Sequence, residues 1–317
     1  TSSFLRRVFT FALTLKKKPS KVDEEDFEFG VRLVEILQKQ MAKMALTRHS
    51  HTDIWELLQV FPDVYRSGEQ QDVTETIRFV FDKLGSFEQP LVREVFAGEL
   101  SELVQCQVCG TIRRKPETFS DLVLSVPKEA DVTASQVMPT IQQLMNERLK
   151  VENLDEDNLL FCEACQANQR ARKWCEIVSP PAHLCLCLNR FTFDVNTMGF
   201  TKEKTPVCVD GLLQIGPFTY ELYMAIVHTG VDASSGHYYA IGRRSEATDG
   251  PNDWVTMDDS QVKPADMSVL TGRAVTKKND NPYALFYRCQ QAPPTPSLLV
   301  PQKLAKLVEK EDSARGE

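Results

Sequence analysis

AIVHTGVDASSGHYYAI, residues 225–241, is followed by WVTMDDS at residues 254–260. The first stretch reads as a β-strand, a Ser/Gly-rich turn and a second strand opened by His237; the second reads as a strand ending in two carboxylates, Asp258 and Asp259. A histidine at the mouth of a tight turn is held at a strand end, where it can reach a cleft. A strand-end histidine and a strand-end aspartate in neighbouring hairpins can serve a thiol nucleophile. The imidazole takes the thiol's proton, and the carboxylate on its other nitrogen fixes the tautomer. Spacing does not choose between Asp258 and Asp259, and a lone histidine is more often structural, so the surrounding segments must carry the argument.

Working outward, short alternating or β-branched segments predict strands over 102–106, 112–119, 122–126, 173–178, 184–191, 218–227 and 238–242. A 3.6-residue period predicts one helix among them, over 134–149. The first 85 residues differ: Phe29, Leu33, Ile36, Leu37, Met41 and Met44 mark a helix over 25–46, with further helices over 52–61 and 70–84. Leu154 to Asn158 reads as an acidic turn. From residue 290 the chain runs QQAPPTPSLLVPQ and then turns charged, which predicts a Pro-containing linker and a frayed helical tail over 290–317. The fold class is α+β, with a helical part over 1–90 and a β-rich part over 91–289.

Two of the strand ends carry C-x-x-C pairs, Cys106/Cys109 and Cys162/Cys165. Each pair puts two thiolates on one tight turn, and Gly110 supplies the positive φ such a turn needs. Four sulfurs complete a closed tetrahedral Zn²⁺ site with no open position for water, so one structural zinc is expected per chain. Nine cysteines in 317 residues, two pairs of them so spaced, fit thiols in a reducing compartment better than a disulfide framework. Cys185 and Cys187 alternate with Leu184, Leu186 and Leu188, which makes them small apolar residues of a packed strand.

A net charge of −7 argues against direct nucleic-acid binding and suits a partner with a basic face. No apolar run reaches the roughly 20 residues of a membrane helix. Cytoplasm or nucleus is the expected compartment. The segment Thr1 to Ser20 has five basic residues and no acid, and reads as a basic amphipathic helix within the fold; its composition also fits a mitochondrial presequence.

Taken in order, several segments resemble the ubiquitin-specific protease family. Gln70-Gln71-Asp72-Val73-Thr74-Glu75 is similar to its QQDxxE helix, Phe119 to Leu124 to its FxDLxL strand, and Leu184 to Phe191 to its LxLxLxRF strand. GHYYA at 236–240 with the WxxxDDSxV of 254–262 is similar to its histidine box, and Ala284 to Tyr287 to its terminal LFY strand. The resemblance covers about Phe4 to Cys289. It implies a papain-like fold with a helical thumb over 1–90 and a β-rich palm with zinc-bearing β fingers over 91–289. It also implies a thiol isopeptidase that cleaves after the C-terminal glycine of ubiquitin. His237 would be the general base, Asp258 its orienting carboxylate and Asp259 the alternative, while Gln70, Asp72, Gly236 and Tyr238 would face substrate. Ubiquitin or a ubiquitinated protein is the implied partner.

Family members begin with an Asn-x-Cys segment that supplies the nucleophile, and here no cysteine precedes Cys106. The expectation is a sequence that starts just after that segment and is inactive alone. The alternative is a catalytically inactive scaffold or binding subunit of a larger assembly.

Overall fold

Asp23 precedes a run of three acids and then an apolar stripe, and this is how the first helix begins. Its carboxylate accepts from the Glu25 N–H at 2.9 Å, and Glu24, Glu25 and Asp26 sit where the helix dipole favours negative charge. In the computed structural model of the chain, the described residues are 23–47, 52–85, 92–128, 138–194, 198–230, 235–244, 253–265, 267–271, 280–292 and 300–315. The basic stretch 1–20, residues 134–137 of the predicted helix, residues 231–234 of the Ser/Gly turn and most of the Pro-containing linker lie outside them.

The chain divides into two units, the first made of Thr1–Val95 with Pro293–Glu317 and the second of Phe96–Ala292. In the first, α1 (Glu24–Leu46), α2 (Trp55–Leu58) and α3 (Val73–Gly85) surround Leu33, Val34, Val60 and Leu84. Phe79 of α3 meets Phe29 edge-on at 5.8 Å and Phe61 at 5.6 Å. The helix predicted over 52–61 is a single turn at α2, followed by a 3₁₀ turn at Asp63–Arg66. Pro62 has no N–H to give to Leu58 O, which accepts a tighter bond from Phe61 N at 3.2 Å instead, so the helical ladder does not run on. The charged C-terminal stretch is docked instead of frayed: helix Gln302–Arg315 buries Val308 against Ala42, and Glu311 bridges Lys39 and Lys43 at 3.0 and 2.8 Å.

The second unit is built on sheets. Strands β1 (Gly98–Cys106), β2 (Ile112–Phe119), β4 (Glu152–Leu154) and β7 (Ala171–Ser179) form a four-stranded antiparallel sheet in the order β2-β1-β7-β4. Two short strands, β5 (Leu160–Cys162) and β6 (Ala167–Gln169), pair beside it in sequence as a separate ribbon.

The large sheet joins β3 (Leu122–Ser125), β8 (His183–Asn189), β11 (Leu212–Ile215), β12 (Phe218–Thr229), β13 (His237–Arg243), β14 (Trp254–Asp258), β15 (Gln261–Pro264) and β16 (Asp280–Cys289). Its order is β15-β14-β13-β12-β16-β8-β3, with β11 on β12. The β3–β8 pair is parallel and the other pairings are antiparallel. From His183 to Leu188 every residue is buried, as expected for a strand covered on both faces, so Cys185 and Cys187 are core residues on the face opposite their leucine neighbours. Leu184, Leu186, Leu188, Leu213, Tyr220, Leu285 and Tyr287 form the centre of the core.

Two expectations need correction here. The predicted strand 184–191 breaks at Arg190, with a separate strand β9 (Phe191–Asp194) paired to β10 (Gly199–Lys202). The cause is the arginine itself, whose fully buried guanidinium reaches the carbonyls of Pro282, Glu203 and Thr205 at 2.9, 3.1 and 2.9 Å. The helix predicted from 134 begins at Ile141 and ends at Leu149. Thr140 caps it with a reciprocal capping box to Gln143, and Ile141, Leu144 and Met145 face the core.

Candidate active site and metal centre

The histidine hairpin is set by register. β12 and β13 pair with His228 opposite Tyr238 and Thr229 opposite His237, so the histidine opens its strand where the pairing ends. Gly230 and Gly236 let the two arms approach: a Cβ on Gly236 would sit 2.4 Å from His228 Nε2 and 2.6 Å from Thr229 O, and one on Gly230 2.6 Å from Ser235 O. Glycine at 236 therefore admits the protein's own opposite arm.

β14 lies beside β13 and ends at Asp258. His237 Nε2 is 2.6 Å from Asp258 Oδ1 and 4.0 Å from Asp259 Oδ2. Asp258 is the last residue of the ladder, paired with Gln261. Asp259 occupies the two-residue turn to β15 with φ +49, a left-handed conformation that Asp tolerates better than most residues. Its side chain is 82% exposed against 48% for Asp258, so the turn carries the second carboxylate outward. With Nε2 held by the carboxylate, Nδ1 is the nitrogen left to exchange a proton.

Of the other sequence-selected residues, Tyr238 packs its ring at a tilt against His228 at 4.7 Å and Tyr283 at 5.8 Å. Gln70 and Asp72 belong to the helical unit. Asp72 is the N-cap of α3: its Oδ1 accepts from Thr74 N at 2.7 Å, Thr74 Oγ1 at 2.6 Å and Glu75 N at 3.3 Å. The signal was available in Asp72-x-x-Glu75, the spacing of a capping box.

The four knuckle cysteines converge. Cys106 Sγ lies 4.0 Å from Cys165 Sγ, Cys109 Sγ lies 3.6 Å from Cys162 Sγ, and all four sulfurs fall within 4.8 Å of one another. A tetrahedron with Zn–S bonds of about 2.3 Å has edges of about 3.8 Å, so the spacing is compatible with a structural zinc site. Both knuckles turn through a left-handed residue directly after the second cysteine, Gly110 at φ +73 and Gln166 at φ +53. Gly110 N–H donates to Cys106 O at 3.0 Å, and the Gln166 amide donates to Glu163 O at 2.6 Å. Thr111 Oγ1, 3.2 Å from Cys109 Sγ, brings that thiol down to about 6, while the neighbouring Cys109 pushes Cys165 up to about 12. One thiolate thus opposes the next, and a cation is what lets four coexist.

The family model described as ubiquitin carboxyl-terminal hydrolase matches residues 3–287. The chain belongs to this family, within the papain-like cysteine proteases. Among its relatives, ubiquitin carboxyl-terminal hydrolase 48 of Danio rerio is 29% identical over an alignment of 284 residues that covers 78% of this chain and 26% of that protein. The protein of the same description from Gallus gallus is 28% identical over 281 residues, with the same coverage of both. Ubiquitin carboxyl-terminal hydrolase 35 of Homo sapiens is 30% identical over an alignment of 181 residues that covers 52% of this chain and 18% of that protein. The chain thus spans about a quarter of the length of the first two relatives. Among the described residues, no helix is long and apolar enough to cross a membrane.

Proposed function

We propose that the chain carries the base half of a thiol isopeptidase acting after the C-terminal glycine of ubiquitin. The observation that carries this is the 2.6 Å contact between His237 Nε2 and Asp258 Oδ1 on adjacent strands in a member of this family. In this reading Asp258 holds Nε2 and fixes the tautomer, so Nδ1 takes the proton of the attacking thiol and later returns it to the leaving amine. Asp259, 4.0 Å away, is the alternative carboxylate for this role. In this reading Gln70 and Asp72 of the first unit and Tyr238 of the second are substrate-tail contacts, whereas the space at Gly236 is taken by the protein's own opposite arm. The helical unit acts as the thumb, the large sheet as the palm, and the four-stranded sheet with the cysteine cluster as fingers stiffened by one Zn²⁺ on Cys106, Cys109, Cys162 and Cys165.

No cysteine of the sequence suits the nucleophile's role. Cys185 and Cys187 are buried in β8, three strands from β13, about 14 Å at the usual strand spacing. Cys289 pairs with Tyr220, nine residues along β12 from the residue opposite His237. Cys208 donates to Thr271 O, Cys175 lies beside Arg148, and the other four share the metal cluster. In this reading the attacking thiol is none of these nine.

The test uses a protein that joins this chain to a thiol-bearing segment. His237→Ala should lower turnover of a ubiquitin C-terminal amide by on the order of 100- to 10,000-fold and leave ubiquitin affinity nearly unchanged. Asp258→Ala should act on the same step, with the double variant little worse than His237→Ala. Equal ubiquitin binding with no turnover in any form would favour the scaffold reading, and a larger loss from Asp259→Ala than from Asp258→Ala would exchange the roles of the two carboxylates.

A further inference from the structure

Thr229, the residue opposite His237, is bracketed by two carbonyls that a side chain holds. Lys202, at the end of β10, is buried, and its Nζ lies 3.0 Å from Gly230 O and 3.3 Å from His228 O. Successive carbonyls of a strand point to opposite edges. Thr229 O is the backbone atom nearest a Cβ placed on Gly236, so the carbonyls of His228 and Gly230 face the other edge, toward β16. The ladder there is irregular. The β12–β16 register shifts between Ile226 and Val227, and the pairing ends with His228 opposite Asn281 and Thr229 opposite Asp280, so Gly230 lies past the last pair. An ammonium with three donors supplies hydrogen bonds to carbonyls at the end of this ladder.

Burying an ammonium costs several kcal/mol before its partners are counted, so a lysine in this position needs a compensating role. The ribbon that carries it is itself fixed. Phe191, opposite Lys202 in the β9–β10 register, packs edge-on against His228 at 5.8 Å and against Tyr283 at 5.3 Å. Arg190, one residue earlier, holds Pro282 O. A rigid ribbon thus presents one cation to the outer edge of the arm whose inner edge abuts Gly236.

We propose that Lys202 is the positioning residue for His237. Its ammonium clamps the His228–Gly230 arm. Because that arm meets residues 235–236 backbone to backbone, the clamp sets where His237 leaves its strand relative to Asp258. Lys202 does not touch the reacting atoms and acts through the hairpin. The proposal rests on the general-base reading of His237 only for its kinetic consequence.

The primary test needs only this chain. In ¹⁵N-labelled protein the His237 Nε2–H bonded to Asp258 should give a slowly exchanging imidazole signal. Lys202→Met removes the donors at similar volume and should speed that exchange about tenfold or more, while backbone amides of Leu184–Leu188 and Ala284–Tyr287 keep their protection. Lys202→Gln is one atom shorter and cannot span both carbonyls, so it should fall between wild type and Lys202→Met. It also decides the matter if Lys202→Met does not fold. Wild-type exchange at His237 in Lys202→Gln, or in a folded Lys202→Met of lower melting temperature, would reduce the lysine to a packing role and overturn the proposal.

The second arm uses the thiol-bearing protein, where Lys202→Met should lower kcat about 10- to 100-fold with KM changed by less than about twofold. An unchanged kcat alongside faster exchange would limit positioning to the resting state and refute its catalytic part. If His237→Ala leaves turnover intact, the general-base reading fails, while the exchange measurement still decides whether Lys202 sets the ring.

Discussion

His183→Phe should make the second unit less sensitive to acid, and the size of the effect follows from where the ring sits. His183 opens β8, is 3% exposed, and lies 5.8 Å from the Phe96 ring and 5.5 Å edge-on to Tyr223. Its Nδ1 is buried with no hydrogen-bond partner among the described residues, and Arg288 faces it across the β8–β16 ladder. Burial above all, with the Arg288 charge a lesser contributor, depresses the imidazole from 6.5 to about 3. For a histidine lowered in this way, the unfolded chain binds the proton first. The stabilising contribution is therefore complete above about 6.5 and is lost as pH falls toward 3. Between pH 7 and pH 5 the loss is about 2 kcal/mol, from about 1.4 kcal/mol per pH unit below 6.5. Phenylalanine keeps the ring contacts and removes the titration. Urea unfolding at both pH values, followed through Trp174 and Trp254, should show wild type losing about 2 kcal/mol more than the variant. The carboxylates and the cysteine cluster titrate in both proteins, so the difference isolates residue 183. Equal losses would mean that the folded imidazole is already charged or hydrated, and the burial argument would be wrong.

Elemental analysis should find one zinc per chain in wild type and a sub-stoichiometric amount in Cys109→Ser. Chelation should remove amide protection from Leu160 to Gln169, whose two three-residue strands have little packing of their own, and spare His237 to Arg243. Retained protection after complete metal removal would detach the ribbon's order from the cluster. Gly110→Ala should destabilise the same region by about 1–2 kcal/mol through the left-handed backbone alone, because a Cβ there meets nothing within 4 Å; chelator-dependent hydrogen exchange reads the change.

What the sequence made legible followed from periodicity and local chemistry. The alternation around His237 and Trp254 placed the two hairpins to within a couple of residues, because strands with one buried face must keep a period of two. The C-x-x-C spacing located a cluster whose ligands lie 53 residues or more apart across the pairs. The β5–β6 ribbon escaped because its three-residue strands carry no readable alternation, with Phe161 half exposed. The start of the helix at Ile141 was written in Thr140-x-x-Gln143 and was masked by apolar residues upstream that happen to continue the period.

Arg190 shows why the supports of the histidine hairpin were harder to read than the histidine. In the sequence it ends an apolar strand and looks like a polar boundary residue, yet it is entirely buried and binds three carbonyls from two distant segments. Burial lowers its guanidinium only to about 10, so it remains charged at neutral pH. Lys202 stands in the same relation to the carbonyls of His228 and Gly230. Both cations serve carbonyls near the end of the β12–β16 ladder, Arg190 at Pro282 and Lys202 at His228 and Gly230. A strand end leaves acceptors past the last ladder pair, and buried acceptors must be satisfied. Long cationic side chains are the groups with donors enough to do it from another ribbon. Neither propensity nor periodicity encodes such a partnership, because the demand arises at residues 228–230 and 282 while the supply comes from 190 and 202. The polar residue that closes the LxLxLxRF strand is thus an anchor for the hairpin about forty-seven positions later, and its period-breaking chemistry is the mark by which it can be found.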